Sequence, residues 1–382
     1  MNIHTFLAAA IGAACLVGTA NAEVKIGLMY SSTGPGASVG MPQQRLVPAL
    51  PTVVGGEKVR YIELDDASDT TTAAKNARKL TAESGVDLLI GPSITTSSLA
   101  ILDVIAEAGT PMISLAAGAA IVEPLDAKRY WAFKTPQSDA MMVTLIVEHM
   151  VRAGAKRVGF IGLNDAYGEG WWQAFSKLAE THKIAVVANE RYARTDTSVT
   201  GPILKLLAAK PDTIFIASFG TPAVLPQTTL AERGFKGAIY QTHGVANNDF
   251  LRVGGKSIEG TLLPASPVLV AEQLAADHPA RKPGMEFVSK YEALPGAGVR
   301  SPFAAYLWDA VLILDKALPQ ALKTAKAGTP EFRKALREAI ENTKDVHGSN
   351  GVYSMSKTDH IGLDTRARVM VQIVDGKWKL AP

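Results

Sequence analysis

Cysteine is almost absent from this sequence of 382 residues. The single cysteine, Cys15, lies in an apolar segment at the amino end. Beyond that segment the chain can form no disulfide, present no thiol nucleophile and offer no thiolate metal ligand. Cys15 itself is interpreted as a small apolar residue, the alternative being lipid attachment. Gly12 favours the first interpretation, because a lipoprotein signal usually has Leu at that position.

Long hydrophobic runs and an excess of one charge are also lacking. No run of 18 apolar residues occurs, so we predict no transmembrane helix. The formal net charge is only +3, which gives no indication of a nucleic-acid partner. Residues 6–18 form a short uncharged apolar run, and Ala20-Asn21-Ala22 has the small-x-small form of a cleavage site. We therefore expect a signal peptide over residues 1–22, cleaved between Ala22 and Glu23.

Motifs for cofactors and catalysis are missing as well. The glycines of residues 34–40 are spaced GxGxxxG, one residue too long for a dinucleotide fingerprint, and no phosphate loop or GxSxG motif is present. The seven histidines show no zinc-ligand spacing. We predict no cofactor, no metal and no catalytic residue. A cation site is one interpretation of the closely spaced Asp65, Asp66 and Asp69. The favoured interpretation is that these residues form the polar end of a strand and the cap of the helix that follows.

What the chain does contain is strands alternating with helices, in two successive series. The apolar segment at residues 24–30 is similar to RVGFIGL at residues 157–163, where the pattern begins again. This predicts an α/β protein with two doubly wound lobes, each built on a parallel sheet. Pro42, Pro48 and Pro51 allow only a short or broken first helix.

Residues 86–118 organise the rest of the chain. They read as a strand, a helix ended by Gly109 and a parallel strand, with hydroxyl-bearing residues where the helix begins. Ligands bind at the carboxyl ends of parallel strands, so residues 93–98 and 116–119 should border one site. Free backbone N–H groups there favour an anionic group, although a capped helix with a polar turn is the alternative.

Three strands of the second series end in Tyr167, Phe219 and His243. Strand ends of one parallel sheet meet at one edge, so these residues predict a largely aromatic wall opposite the hydroxyl-rich one. Trp171 and Trp172 are interpreted as helix packing.

Several segments, in this order, carry a resemblance to a known family: VKIGLMYSSTGPGASVG, ELDDASD, IGPSITTSS, PMISLAAG, NDAYGEG, HGVAN and EGTL. The sequence resembles the solute-binding proteins of branched-chain amino-acid-type ABC importers, the Leu/Ile/Val-binding family with the type I periplasmic binding fold. The resemblance implies a two-lobe clamp with a three-crossover hinge. The lobes would be residues 23–136 plus 266–351 and residues 137–265 plus 352–382.

The resemblance also implies an exported, periplasmic and monomeric receptor that delivers a small molecule to a membrane ABC permease, and it implies no enzyme. The alternatives are an exported enzyme or a sensor domain on the same fold. The family's cysteine pair is absent, with Ser68 and Ile94 in its place. By position, the ligand-binding residues would be Ser93, Thr95, Ala116, Gly118, Tyr167, Phe219 and His243.

His243 matches the acidic residue that pairs with the ligand's ammonium group in the family. A buried ammonium without its anion loses a charge-assisted bond worth about 1.5–3 kcal/mol. His243 can instead donate a hydrogen bond or supply a positive charge to an acid. We therefore predict a small organic acid without an α-amino group, and an aromatic one in view of Phe303 and Tyr306. A branched-chain or other amino acid is the alternative.

Overall fold

The computed structural model describes residues 23–296 and 298–381. The predicted signal peptide, with its cleavage site and Cys15, lies outside the described residues. Two sheets carry the fold, and a short antiparallel pair accompanies them.

The first sheet has the strand order β2-β3-β1-β4-β5-β6. Its members pair in parallel except β2, which runs antiparallel to β3. Burial on both faces explains the near-continuous apolar character of β1, β4 and β5. The strands are β1 (Val24–Tyr30), β2 (Val53–Val54), β3 (Glu57–Asp65), β4 (Leu88–Ile90), β5 (Met112–Ser114) and β6 (Ala132–Lys134).

The second sheet has the order β15-β14-β11-β10-β9-β7-β8, and its first five strands along the chain are parallel. The antiparallel pair β14 and β15 closes one edge. The strands are β7 (Arg157–Leu163), β8 (Ala185–Tyr192), β9 (Thr213–Ala217), β10 (Ala238–Gln241), β11 (Leu262–Ala265), β14 (Val369–Val374) and β15 (Lys377–Leu380), and the separate pair is β12 (Val346–His347) with β13 (Val352–Tyr353).

The five parallel strands of each sheet follow the same doubly wound order, with the second strand at the edge next to the first. Ligands of such sheets bind where the order reverses, outside the carboxyl ends of the strands. The switch points lie between β1 and β4 and between β7 and β9. The predicted fold class, two doubly wound α/β lobes, is confirmed.

Twelve α-helices are found in the described residues. They are α1 (Ala37–Leu46), α2 (Thr70–Arg78), α3 (Thr95–Ala100), α4 (Leu102–Ala108), α5 (Asp139–Arg152), α6 (Ala166–Thr181), α7 (Thr200–Ala208), α8 (Val224–Glu232), α9 (Asn248–Gly254), α10 (Arg281–Glu292), α11 (Pro302–Leu322) and α12 (Pro330–Glu341). No helix in residues 23–296 or 298–381 is long and apolar enough to cross a membrane.

Of the two alternatives for the first helix, the short one holds, because α1 ends at Leu46 before Pro48, but Pro42 does not break it. A proline at this point removes only one intrahelical bond, to the carbonyl of Ser38, and α1 packs against α11. The helix predicted between β4 and β5 is not continuous, since the backbone at Ile101 (φ −107°, ψ 0°) separates α3 from α4. Other local predictions are confirmed: Gly109 ends α4 with φ 56°, and Asp375-Gly376 forms the β14–β15 turn.

The chain crosses three times between the first sheet with its helices and the second sheet with its helices. It leaves β6 for α5, which packs against β11 and β14, then leaves β11 for α10 and α11, and returns to β14 after β13. Helix α11 packs against α1 and β2 of the first sheet. Of the predicted lobe boundaries, residue 136 lies between β6 and α5, residue 265 ends β11, and residue 351 lies between β12 and β13. The boundaries stay a prediction.

Candidate functional site

A cavity lies where the switch points of the two sheets face each other. About 360 Å³ of space, which includes solvent at its mouth, lies between its walls. Its wall combines apolar and aromatic side chains with a few hydroxyl groups and one imidazole. The lining residues are Val39, Ser93, Ile94, Thr95, Leu115, Ala117, Pro136, Tyr167, Phe219, His243, Gly244, Phe303 and Tyr306.

Five of the seven predicted site residues line this one cavity: Ser93, Thr95, Tyr167, Phe219 and His243. The other two lie at its border. Ala116 lies between two lining residues, Leu115 and Ala117, and Gly118 lines a separate surface pocket beside Asp139.

Hydrogen bonds fix the hydroxyl groups of the first wall. The Ser93 hydroxyl donates to Gln43 Oε1 (2.5 Å) and accepts from the backbone N–H of Ser31 (3.0 Å), so it joins the ends of β1 and β4 to α1. Thr95 begins α3, and its hydroxyl oxygen accepts the backbone N–H of Gly118 (3.2 Å). The Gly118 N–H is therefore bonded to a side chain that lines the cavity.

Most of the predicted hydroxyl run does not border the cavity. The Ser98 hydroxyl pairs with Ser114 (2.8 Å) inside the lobe, and Ser97 is fully buried. Thr96 instead accepts a long bond from Arg194 Nη2 (3.5 Å). The prediction that residues 93–98 and 116–119 all border the site is therefore too broad, because helical geometry turns successive side chains to different faces.

The second wall begins with a capped helix. Asp165 caps α6 by accepting the backbone N–H groups of Tyr167 (3.0 Å) and Gly168 (3.1 Å), which places Tyr167 in the first turn. The buried Tyr167 hydroxyl donates to Thr242 Oγ1 (2.8 Å). At residue 244 the backbone passes so close that a Cβ would lie 2.7 Å from the Tyr167 hydroxyl oxygen, so glycine is required there.

Aromatic rings cover the body of the cavity. The rings of Tyr167 and Phe219 meet edge to face at 5.1 Å, and Trp171 lies behind them, 5.6 Å from the His243 ring. Trp171 is fully buried and does not line the cavity, which agrees with its interpretation as helix packing. Phe303 and Tyr306 from α11 complete the wall, and the Tyr306 hydroxyl donates to Gln137 Oε1 (3.0 Å).

His243 is neutral, contrary to the option that it supplies a positive charge. Burial lowers the pKa of His243 to about 3, and the nearby charge of Lys134 acts in the same direction. The imidazole lines the cavity with 3% of its surface exposed, and its Nδ1 has no hydrogen-bond partner among the described residues. A neutral imidazole has one N–H to donate and one ring nitrogen that can accept a hydrogen bond.

Sequence reasoning missed two buried charged residues beside the cavity. Lys134, at the end of β6, is fully buried and donates to the carbonyl oxygen of Ala117. Asp139, at the start of α5, accepts the backbone N–H of Ala119 (3.1 Å). A lysine at the end of the otherwise apolar segment 130–135 was the available signal.

The aspartates after β3 serve the local structure. Asp69 caps α2 by accepting the backbone N–H of Thr72 (2.7 Å), which confirms the favoured interpretation. Asp65 accepts from the Thr33 hydroxyl (2.6 Å) and from the Ser32 N–H (2.9 Å). No group of three or more His, Cys, Asp or Glu side chains within residues 23–296 and 298–381 is arranged to hold a metal ion.

Fold and cavity together define a two-lobed binding protein with its site between doubly wound lobes. The family model described as periplasmic binding protein matches residues 23–377. The chain belongs to this family, and the resemblance to Leu/Ile/Val-type solute-binding proteins is confirmed.

Several known proteins are similar to this chain. An extracellular ligand-binding receptor from Rhodopseudomonas palustris HaA2 has 48% sequence identity and a TM-score of 0.91, over 94% of this chain and 100% of that one. The Leu/Ile/Val-binding protein homolog 3 of Brucella melitensis is 22% identical over 94% of both chains. An R. palustris solute-binding protein solved with benzoate shares the fold, with a TM-score of 0.78, 20% identity, and 94% of this chain and 95% of that one covered.

Proposed function

We propose that this protein is an exported, periplasmic receptor that captures a small organic acid between its lobes and presents it to a membrane ABC permease. The ligand lacks an α-amino group and is an aromatic carboxylate. The protein is a monomer and catalyses no reaction. Members of its family are binding proteins, which supports the non-enzymatic part of the proposal.

One observation carries the choice of ligand. The described cavity wall contains hydrogen-bond donors but no Asp or Glu side chain. The donors that remain free are the Thr95 hydroxyl and the imidazole of His243, because the hydroxyl groups of Ser93, Tyr167 and Tyr306 already donate to Gln43, Thr242 and Gln137. Such a wall can solvate a carboxylate but offers no anion to an ammonium group, whose burial without a partner is costly.

The aromatic side chains support an aromatic ligand. Phe219, Phe303, Tyr167 and Tyr306 face one another across a small space, where a ring gains edge-to-face contacts beyond its buried area. The benzoate complex of the R. palustris protein shows that the fold accommodates such an acid. Ligand that contacts both lobes stabilises the closed state, which is the state that a permease can recognise.

Amino-acid binding is the second candidate. Asp139 is buried close enough to Tyr167 for its charge to help raise the pKa of that phenol, although burial is the larger cause. A rearranged Asp139 could then pair with an ammonium group, and the Brucella relative is named for Leu, Ile and Val.

A thermal-shift screen separates the two candidates. Benzoate, phenylacetate, 2-oxoisocaproate, L-leucine, L-isoleucine and L-valine are compared, because a ligand at 100 times its Kd adds about 2.7 kcal/mol to the free energy of unfolding. We expect the aromatic acids to raise the melting temperature most. Stabilisation by L-leucine but not by the two aromatic acids would refute the proposed ligand class. Recovery of the bound acid chemically unchanged tests the non-enzymatic part.

A further inference from the structure

Lys134 is the buried cation nearest to the candidate cavity. Its strand pairs with β5 through Ser114, and its side chain is fully inside the protein, where its ammonium group donates to the Ala117 carbonyl oxygen. Among the described residues it has no carboxylate partner within 4.0 Å. A buried ammonium group normally requires such a partner, so its position calls for another explanation.

The charge of Lys134 is retained at neutral pH and only partly compensated. Burial lowers the pKa of Lys134 to about 8, while the charges of Asp139 and Glu123 act in the opposite direction. Asp139 Oδ1 is already occupied by the backbone N–H groups of Ala119 (3.1 Å) and Ala140 (3.0 Å). The positive charge therefore reaches the neighbouring cavity, as the lowered pKa of His243 also indicates.

A chain of hydrogen bonds leads from Lys134 to the cavity wall. The Ala117 carbonyl and the Gly118 N–H belong to one peptide group, which Lys134 contacts at the oxygen. At its other end the Gly118 N–H donates to Thr95 Oγ1 (3.2 Å). A hydroxyl that accepts one bond keeps its own hydrogen for donation, and consecutive hydrogen bonds polarise one another.

We propose that Lys134 is a positioning residue for the ligand's carboxylate. Acting through the Ala117–Gly118 peptide group, it holds the Thr95 hydroxyl as a donor toward an anion in the cavity, and its charge favours that anion. This inference rests on the proposed function and names the residue that makes the site select an acid over its uncharged amide.

The test compares acids with their amides by titration calorimetry. Benzoate is paired with benzamide and L-leucine with L-leucinamide. Lys134→Met should weaken binding of the acid at least about tenfold more than binding of the amide, and Lys134→Arg, which keeps the charge, should stay within about threefold of the unsubstituted protein. Lys316→Met removes an exposed charge from α11 and should change neither. Lys134→Gln replaces Lys134→Met if the latter does not fold.

A purely structural role predicts a different result, in which acid and amide weaken equally; that outcome overturns the inference. The route through Thr95 is tested by combining Lys134→Met with Thr95→Val. In the Thr95→Val protein the lysine substitution should weaken acid binding by a smaller factor than in the unsubstituted protein, because only the direct effect of the charge remains, whereas full additivity would exclude this route.

The design keeps the two proposals apart. A protein that binds L-leucine and not benzoate fails the proposed ligand class, while the leucine and leucinamide pair still tests Lys134. A protein that binds benzoate without any loss on Lys134→Met retains the proposed function and fails only the inference. Equal affinity of the unsubstituted protein for acid and amide in both pairs overturns the inference.

Discussion

Replacing His243 with glutamate tests the ligand assignment most directly. His243 lines the cavity with almost no exposed surface, in the turn that follows β10. Glutamate at this position restores the acidic residue of the Leu/Ile/Val-binding family. The substitution should weaken the binding of an acid and favour an amine, because it exchanges an N–H donor for an anion.

The magnitude follows from two contributions. A hydrogen bond to a charged group is worth about 1.5–3 kcal/mol. Two like charges about 5 Å apart repel by roughly 3 kcal/mol at an effective dielectric constant of about 20. A carboxylate introduced into this buried site will be partly protonated, so we expect a net loss of about 2–3 kcal/mol, or roughly 30- to 150-fold in Kd for benzoate.

Titration calorimetry with benzoate and L-leucine measures this change. His243→Gln is the matched control, because its amide keeps an N–H donor without a charge, and we expect it to bind benzoate within about fivefold of the unsubstituted protein. Melting temperatures confirm that both variants fold. If His243→Glu binds benzoate within threefold of the unsubstituted protein, His243 does not contact the acid and the reasoning is refuted.

The same variants give a pH prediction. The folded-state pKa of His243 is about 3, below the unfolded value of about 6.5, so between these values the unfolded chain binds more protons. Stability contributed by the neutral imidazole is present above pH 6.5 and is lost as the pH falls. Chemical denaturation between pH 6.5 and 4.5 should show a slope up to about 1.4 kcal/mol per pH unit steeper than in His243→Gln. Parallel slopes would show that His243 is not held neutral.

Two further substitutions probe the cavity wall. Gly244→Ala places a methyl group 2.6 Å from the Cβ of Phe219 and should cost about 1–3 kcal/mol of stability. Gly201→Ala is the control, because its methyl group meets no atom within 4 Å and should not lower the stability. Equal melting temperatures of the two variants would contradict the close approach. Arg194, which contacts Thr96 and covers the Phe219 ring at 5.6 Å, connects α3 with the second wall. Arg194→Ala should speed ligand release about threefold to tenfold in stopped-flow fluorescence, and an unchanged rate would make this contact incidental.

The sequence predicts the fold well because its signals are local. The apolar runs of β1 and β7, the cap at Asp69 and the turn at Asp375-Gly376 each follow from a few neighbouring residues. The continuity of α1 through Pro42 has the opposite origin, since packing of α1 against α11, more than 250 residues away, stabilises a helix that local propensity disfavours.

The candidate site is less predictable, because its members converge only through tertiary structure. Thr95 and His243 could be selected as strand-end residues. The backbone N–H of Gly118 donates to the Thr95 hydroxyl and not to the cavity. This contact joins two loops, and no sequence pattern predicts it. The neutral state of His243 depends likewise on burial and on Lys134, which only the folded chain brings together.

The first crossover lies at the cavity, because Pro136 lines it together with Tyr306 of α11. Asp309, fully buried on α11, accepts hydrogen bonds from Ser349, Asn350 and Tyr353 in the returning connection. One turn earlier on the same helix, Tyr306 lines the cavity and donates to Gln137 in the first connection.

Gln137 in turn donates to the carbonyl oxygen of Ala367 (2.6 Å), shortly before β14. The ring that would contact a ligand is therefore two hydrogen bonds away from the third connection. Because buried polar groups are costly to leave unpaired, a movement of Tyr306 cannot occur without rearranging these bonds. A side chain that lines the cavity is thus joined by buried hydrogen bonds to both the first and the third connection.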